Sequence, residues 1–282
     1  MHSLPIEVQL RILKYLNFNE LFAVKQTNSY FCNLIKKYEG ELARRKFFGL
    51  SIIDENQKSD SYKYIAPKSG VYEFTLNEQI KEKWQTAIDK SIPLFLHNFE
   101  SEVFVSIEKT FLYGEGRKPP YLLKLPNIPR NIEEMIIVRC WLEKLFKCAF
   151  GHCDFEKIVL NSEMINILFD NDKTTSKFHI TIPDITPTNK IFENVLDFIL
   201  SHLSIYDFLH IGFRFIDDSE QYTHILFKIL INEGDKIPHI RLRHCKSTKL
   251  YDLIMGCKIV VFYSFFISIL TSKVEKFSHS SL

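Results

Sequence analysis

Leu4-Pro5-Ile6-Glu7-Val8-Gln9-Leu10-Arg11-Ile12-Leu13-Lys14-Tyr15-Leu16 is the stretch on which the fold of this chain turns. Ser3 is a good helix cap, and Pro5 suits a first helical turn, where its missing N–H costs nothing. Glu7 adds a favourable negative charge at the same end. Ile6, Leu10 and Leu13 share one stripe at helical spacing, while Val8, Ile12 and Leu16 lie on another. One stripe can pack on neighbouring helices of a small module, which leaves the second for something else.

Two further short helices follow within the stretch 3–47. Asn17-Phe18-Asn19 breaks the first pattern, and Asn19 is placed to cap a helix carrying Leu21, Phe22 and Val24. Asn28 or Ser29 then caps a third, with Tyr30, Phe31, Leu34 and Ile35 as its apolar face. Three helices in so short a span bury little surface, so the pattern predicts a module that leans on a partner.

The spacing Leu4-Pro5-x-Glu7-x(4)-Ile12-Leu13-x-x-Leu16-x(4)-Leu21-x(9)-Phe31 resembles the F-box motif without a gap. Phe31 stands where many members carry Trp, keeping the aromatic character. F-box proteins use this three-helix module to dock on the small Skp-family adaptor of SCF-type (cullin–RING) ubiquitin ligases. The resemblance implies that Leu4, Pro5, Leu13, Leu16 and Leu21 contact the adaptor or support the surface that does.

Beyond the module, Asp54-Glu55-Asn56-Gln57-Lys58-Ser59-Asp60-Ser61 carries no apolar period, so residues 48–70 read as a linker and 71–282 as a second domain. Leu76 to Lys90 reads as a helix with Ile80, Trp84 and Ile88 on one face, Trp84 being a core anchor. Short β-type runs follow at Pro93–Leu96, Val103–Ile107 and Tyr121–Leu125, punctuated by Pro119-Pro120 and Pro126. From Ile132 strand and helix alternate. Strands are expected at Phe155–Leu160, Phe178–Ile182, Phe208–Phe213 and His239–Arg243. Helices are expected at Glu163–Phe169, Ile191–Leu203, Tyr222–Glu233 and Leu250–Met255. The predicted fold class is α+β / α/β: a three-helix module followed by an irregular solenoid-like or open-sheet domain.

That second domain resembles the body of a group of nematode F-box proteins over about residues 70–255. Trp141-Leu142-x-x-Leu145-Phe146-x-Cys148, Ile158-Val159-Leu160-Asn161-x-Glu163-Met164-Ile165 and Ile225-Leu226-Phe227-x-Ile229-Leu230 carry the resemblance. These are core motifs, and they imply a shared fold rather than a substrate.

Composition narrows the function. The chain has 282 residues, 46% of them hydrophobic, with 25 phenylalanines against nine glycines, which predicts a large core and argues against disorder. Thirty-six basic and 34 acidic residues leave a formal net charge of +2, without the concentrated basic stripe that nucleic-acid binding needs. Six cysteines without a Cys-x-x-Cys pair, behind an N-terminus whose apolar run Leu4-Pro5 and Glu7 interrupt, point to free thiols in a reducing compartment, cytosol or nucleus.

The candidates for chemistry are weak. Cys148, His152 and Cys153, with Cys140, lack the close hairpin spacing of zinc ligands; Cys140 and Cys148 instead fit one helix face. The Tyr113–Lys118 loop is glycine-rich but is followed by Pro119-Pro120 rather than by a helix, which suits a turn and not a phosphate site. Asp217, Asp218 and Glu220 read as acids at a helix start. No cofactor, metal or catalytic set is expected. Ile254 to Leu270 is hydrophobic enough to flag a membrane span, but its uninterrupted part after Lys258 has the length of a buried element. The expectation is a substrate receptor with an unidentified client protein. The alternatives are an F-box protein acting outside the ligase or at a membrane through 259–270, and an α/β enzyme whose site forms only in three dimensions.

Overall fold

A computed structural model describes residues 4–67, 76–109, 119–169, 177–216, 219–232, 237–245, 247, 249, 250, 252 and 253. The Tyr113–Lys118 loop, Asp217, Asp218, Cys257, the last residues of the helix expected at 250–255 and the apolar stretch 254–270 lie outside them.

Three helices open the chain: α1 (Ile6–Lys14), α2 (Phe18–Lys25) and α3 (Ser29–Lys37). Pro5 is the N-cap residue of α1, Glu7 lies in the first turn, and Arg11 and Lys14 lie in the last, complementing the helix dipole at both ends. The second helix starts earlier than expected. Asn17, not Asn19, caps it: Asn17 Oδ1 accepts from the backbone N–H of Asn19 (2.9 Å) and Glu20 (3.1 Å), and the Glu20 carboxylate accepts from Asn17 N–H (2.8 Å). That reciprocal pair satisfies donors a helix start leaves open. Asn28 caps α3 through Phe31 N–H at 3.0 Å. Leu13, Leu21, Phe31, Leu34, Ile35 and Leu42 form a core that belongs to the module alone.

The expected linker is the main correction to the sequence reading. Arg45–Asp54 forms β1, a ten-residue strand in the interior of the sheet, flanked by two others. The second domain therefore begins at about residue 45, directly after the module, rather than at 71. Its polar continuation is also structured: the short strand β2 (Lys63–Ile65) follows. The module is tied to the body where β1 starts. Arg44 donates to the Phe146 carbonyl (3.2 Å), and Lys147 pairs with Glu39 (3.3 Å).

The other elements are α4 (Glu78–Asp89), β3 (Phe95–Leu96), β4 (Val103–Glu108), β5 (Tyr121–Leu123), α5 (Ile132–Phe146), β6 (Cys148–Glu156), β7 (Val159–Leu160), α6 (Ser162–Phe169), β8 (Phe178–Thr186), α7 (Phe192–His202), β9 (Leu203–Ile205), β10 (Phe208–Gly212), α8 (Thr223–Asn232) and β11 (His239–Arg243). Among the described residues, nine strands make one sheet in the order β11-β10-β8-β6-β1-β4-β5-β2, with β9 beside β8. The strands from β11 to β1 run parallel, whereas β4 is antiparallel to both β1 and β5. Each strand–helix unit after β6 adds its strand one place further out, the topology expected of consecutive crossover connections.

The strand expected over Phe155–Leu160 is in fact two. Lys157 takes a left-handed backbone (φ 58°), which ends β6 and separates it from β7 in a different sheet. Cys148 likewise starts β6 instead of lying on a helix with Cys140.

Buried side chains of α4 to α8 and of one face of the strands form a single core. Trp84 is wholly buried in it and donates its indole N–H to the Ile167 carbonyl at 3.2 Å. The phenylalanines cluster there. Phe178 meets Phe146 edge-on at 4.7 Å and Phe198 at 6.1 Å, and Phe198 meets Phe155 at 5.5 Å.

The core face shifts by one residue midway along the parallel strands. Phe150, Phe178 and Ile180 are buried in their first halves, but Cys153, Phe155 and Ile185 in their second. The ladder skips a pair where this happens, at Phe48, Gly151 and Thr181. A Cβ on Gly151 would stand 3.1 Å from the Phe48 carbonyl oxygen, so glycine permits the close approach. Among the described residues the helices of the body pack on one face of the sheet, and none lies on the other.

Candidate functional site

The candidate surfaces are the exterior of the helical module and the face of the sheet on which no described helix lies.

On the module, the five motif residues divide. Leu13 and Leu21 are 0% and 3% exposed, inside the module's own core. Of the two roles expected for them, their burial fits support of the surface rather than direct contact. Leu16 is half-buried against that core, while Leu4 (39% exposed) and Pro5 are open to solvent. The sequence reading missed what fixes the last two. Gln9 is buried on α1; its side-chain N–H donates to the Leu4 carbonyl (2.7 Å), and its Oε1 accepts from the Tyr30 hydroxyl on α3 (2.9 Å). This latch holds the segment before α1 in place.

Around these residues lies an apolar exterior. Ile6, Val8 and Tyr15 of the α1 region and Phe22 of α2 are exposed, with Ile12 and Phe18 half-buried. Val8, Ile12 and Tyr15 follow helical spacing, and Phe18 and Phe22 stack at 6.4 Å. A module with six buried core side chains and as many large apolar ones facing water is built to be covered.

The second surface comes from register. Ser106, Ser51, Asp154, Asp184, His210 and Arg241 are cross-strand partners in one row over β4, β1, β6, β8, β10 and β11. Paired positions point to one face, so this row runs across the side away from the helices. Arg243, two residues beyond Arg241, joins it by donating to the Asp184 carboxylate (2.5 Å) and to His210 Nδ1 (2.6 Å). His210 lies 3.8 Å from that carboxylate. Burial and then the Arg243 guanidinium push the His210 pKa down, outweighing Asp184, so its Nδ1 lone pair is free to accept.

Asp154 is different. Its side chain is exposed, and it stands beside Asp184 on the next strand and Glu156 on its own. Burial first, and those two carboxylates next, raise its pKa to about 6. Among the described residues it forms no ion pair. At the N-terminal ends of the strands the field reverses. Burial, then Arg44 and Lys177, lower His179 to about 4. His179 Nδ1 is 2.7 Å from the Tyr206 hydroxyl.

Toward β4 and β5 the face is closed. Lys58 lies over the Phe104 ring at 3.9 Å, and Tyr64 packs on the same ring.

The cysteine and histidine candidates do not converge. Cys153 points into the core, where burial raises its thiol well above the usual range; His152 is on the open face. Cys148 is pushed up to about 11 by burial. Among the described residues no three His, Cys, Asp or Glu side chains are grouped to hold a metal ion. Glu220 pairs with Lys249 (2.7 Å), and no described helix is long and apolar enough to cross a membrane.

Comparison with known proteins gives two matches. Residues 1–40 match the F-box domain, covering α1 to α3, and residues 65–214 match a family described as Domain of unknown function (DUF8381), covering α4 to β10. No curated protein and no solved structure matches the chain. An F-box supports a general role in substrate recognition by SCF-type ubiquitin ligases and in binding the Skp-family adaptor of cullin–RING ligases. With more than half its length inside the second match and its three opening helices inside the first, the chain belongs to the DUF8381 family and is an F-box protein.

Proposed function

We propose that the chain is a substrate-receptor subunit of an SCF-type ubiquitin ligase, in the cytosol or nucleus, which docks on the Skp-family adaptor through its module and holds a client protein with its α/β body. Leu4, Pro5 and Leu16 touch the adaptor in this reading, and Leu13 and Leu21 set the helices from beneath. The observation that carries it is the apolar exterior of α1 and α2 over a very small core. Such a surface gains stability from a partner that covers it, and a few central apolar residues then supply most of the affinity. The body supplies an anchored, rigid sheet immediately after the module, so a client bound there is held in a fixed relation to the adaptor.

The test is a pull-down of adaptor and cullin with wild type and the double variant Leu4→Ala, Pro5→Ala. Both side chains are exposed, so the fold should persist by circular dichroism while adaptor recovery falls at least tenfold. Adaptor recovery equal to wild type would refute the docking role of these residues.

A further inference from the structure

We propose that the helix-free face of the sheet is the client-docking surface, and that it takes a client segment carrying clustered Lys or Arg side chains beside apolar ones. This rests on the reading of the body as a client receptor and specifies where and by what chemistry it binds.

Asp184 is already neutralised by Arg243, but Asp154 has no ion-pair partner among the described residues, and Glu156 has only a hydrogen bond from Gln57 (3.2 Å). Glu108 stands on the same face two strands away, in register with Gly49 and, through it, His152. Folding thus assembles carboxylates that repel one another, and the fold itself has no use for that charge. A cation delivered by a partner would relieve it.

Shape agrees. The row positions beside the carboxylates are small: Gly49 and Ser51 on β1 and Gly212 on β10. Toward the strand starts the same side presents aromatic surface. Tyr206, beside His179, is exposed, and Phe208, flanked by His239 at 4.6 Å and Arg241 at 5.5 Å, is half-buried. Aromatic residues next to a charged row, on a sheet face that no described helix covers, make an interface with anchors and a polar rim. The described Lys and Arg side chains of this face lie around the acidic centre rather than on it: Arg241 over Phe208 and Arg243 against Asp184 at the β11 edge, Lys58 over Phe104 toward β4, and Arg44 and Lys177 toward the strand starts.

The full-length chain, bound to its adaptor, is titrated with three fluorescein-labelled dodecapeptides that share a Leu/Tyr frame and carry four Lys, four Glu or four Ser. The Lys peptide should bind saturably and at least tenfold tighter than the Ser peptide, and the Glu peptide weakest. Asp154→Lys with Glu156→Lys should invert that order. Glu82→Lys with Asp89→Lys on α4 makes the same change in net charge and should leave it intact. No charge preference in wild type, no inversion, or equal inversion by the α4 control would overturn the proposal. Ubiquitin-remnant mass spectrometry in cells separates the two levels. Modification lost with Leu4→Ala, Pro5→Ala but kept with Asp154→Lys, Glu156→Lys leaves the receptor reading standing and overturns this surface. Modification unchanged by both variants overturns the receptor reading itself.

Discussion

Replacing Asp154 by Asn should stabilise the protein at neutral pH. The carboxyl has a reference pKa of 3.8 and is raised to about 6 in the fold, so the native state binds its proton more tightly than the unfolded chain does. Stability from this group is therefore present at low pH and is lost as pH rises from about 4 through about 6. Fully felt, such a shift is worth about 3 kcal/mol against folding at pH 7. Asp154 is solvent-exposed in part, and screening reduces the effect to about 1 kcal/mol. Asn keeps the shape and removes the charge. Urea unfolding of both proteins between pH 3.5 and 8 should give equal stability at the acid end and an Asn advantage that grows to about 1 kcal/mol above pH 7. A variant less stable than wild type at pH 7.5, or an advantage that shrinks with rising pH, would refute the reasoning that Asp154 faces uncompensated carboxylates.

Other outcomes follow from the packing. Leu13→Ala should cost about 2–5 kcal/mol, confined to the module because its core is separate from that of the sheet; hydrogen exchange should accelerate in α1 to α3 and not in β6 or β8. Gly212→Ala should cost about 1–3 kcal/mol, because the new Cβ would lie 2.9 Å from Thr186 Oγ1. Adding Thr186→Ala should restore most of it, measured as a double-mutant cycle. In native protein at pH 8, Cys140 and Cys153 should resist alkylation and Cys148, with its thiol at about 11, should react slowly; unfolding without reductant should expose all six thiols.

The sequence revealed the module well because its signals are local. Leu-Pro-x-Glu, the apolar spacing and the Asn caps are all read within one or two helical turns. Burial was not legible there: Leu13 and Leu16 are three residues apart in the same motif, yet one is wholly buried and the other half-exposed. In the body, β11 fell where its alternating His-Ile-Arg-Leu-Arg pattern put it. The strand β1 is hidden because it opens on the charged Arg45 and Lys46 and a polar stretch follows it, so the residues from 48 onward read as a linker. Likewise β6 was read too late, since Gly151, His152 and Cys153 dilute its apolar run and Lys157 ends it. The open face was out of reach for a different reason. Asp154, Asp184, His210 and Arg243 come from four strands, and only the register of the finished sheet makes them neighbours.

The central claim, that the helical module is an adaptor-docking surface, is met most directly by calorimetric titration of purified Skp-family adaptor into the full-length chain. The account predicts a one-to-one complex for wild type and for Asp154→Asn. It predicts at least a tenfold loss of affinity for Leu4→Ala with Pro5→Ala, and no measurable heat for Leu16→Arg, whose charge would have no partner in an apolar contact. Undiminished binding by the Leu4 and Pro5 double variant and by Leu16→Arg, each folded by circular dichroism, would contradict it.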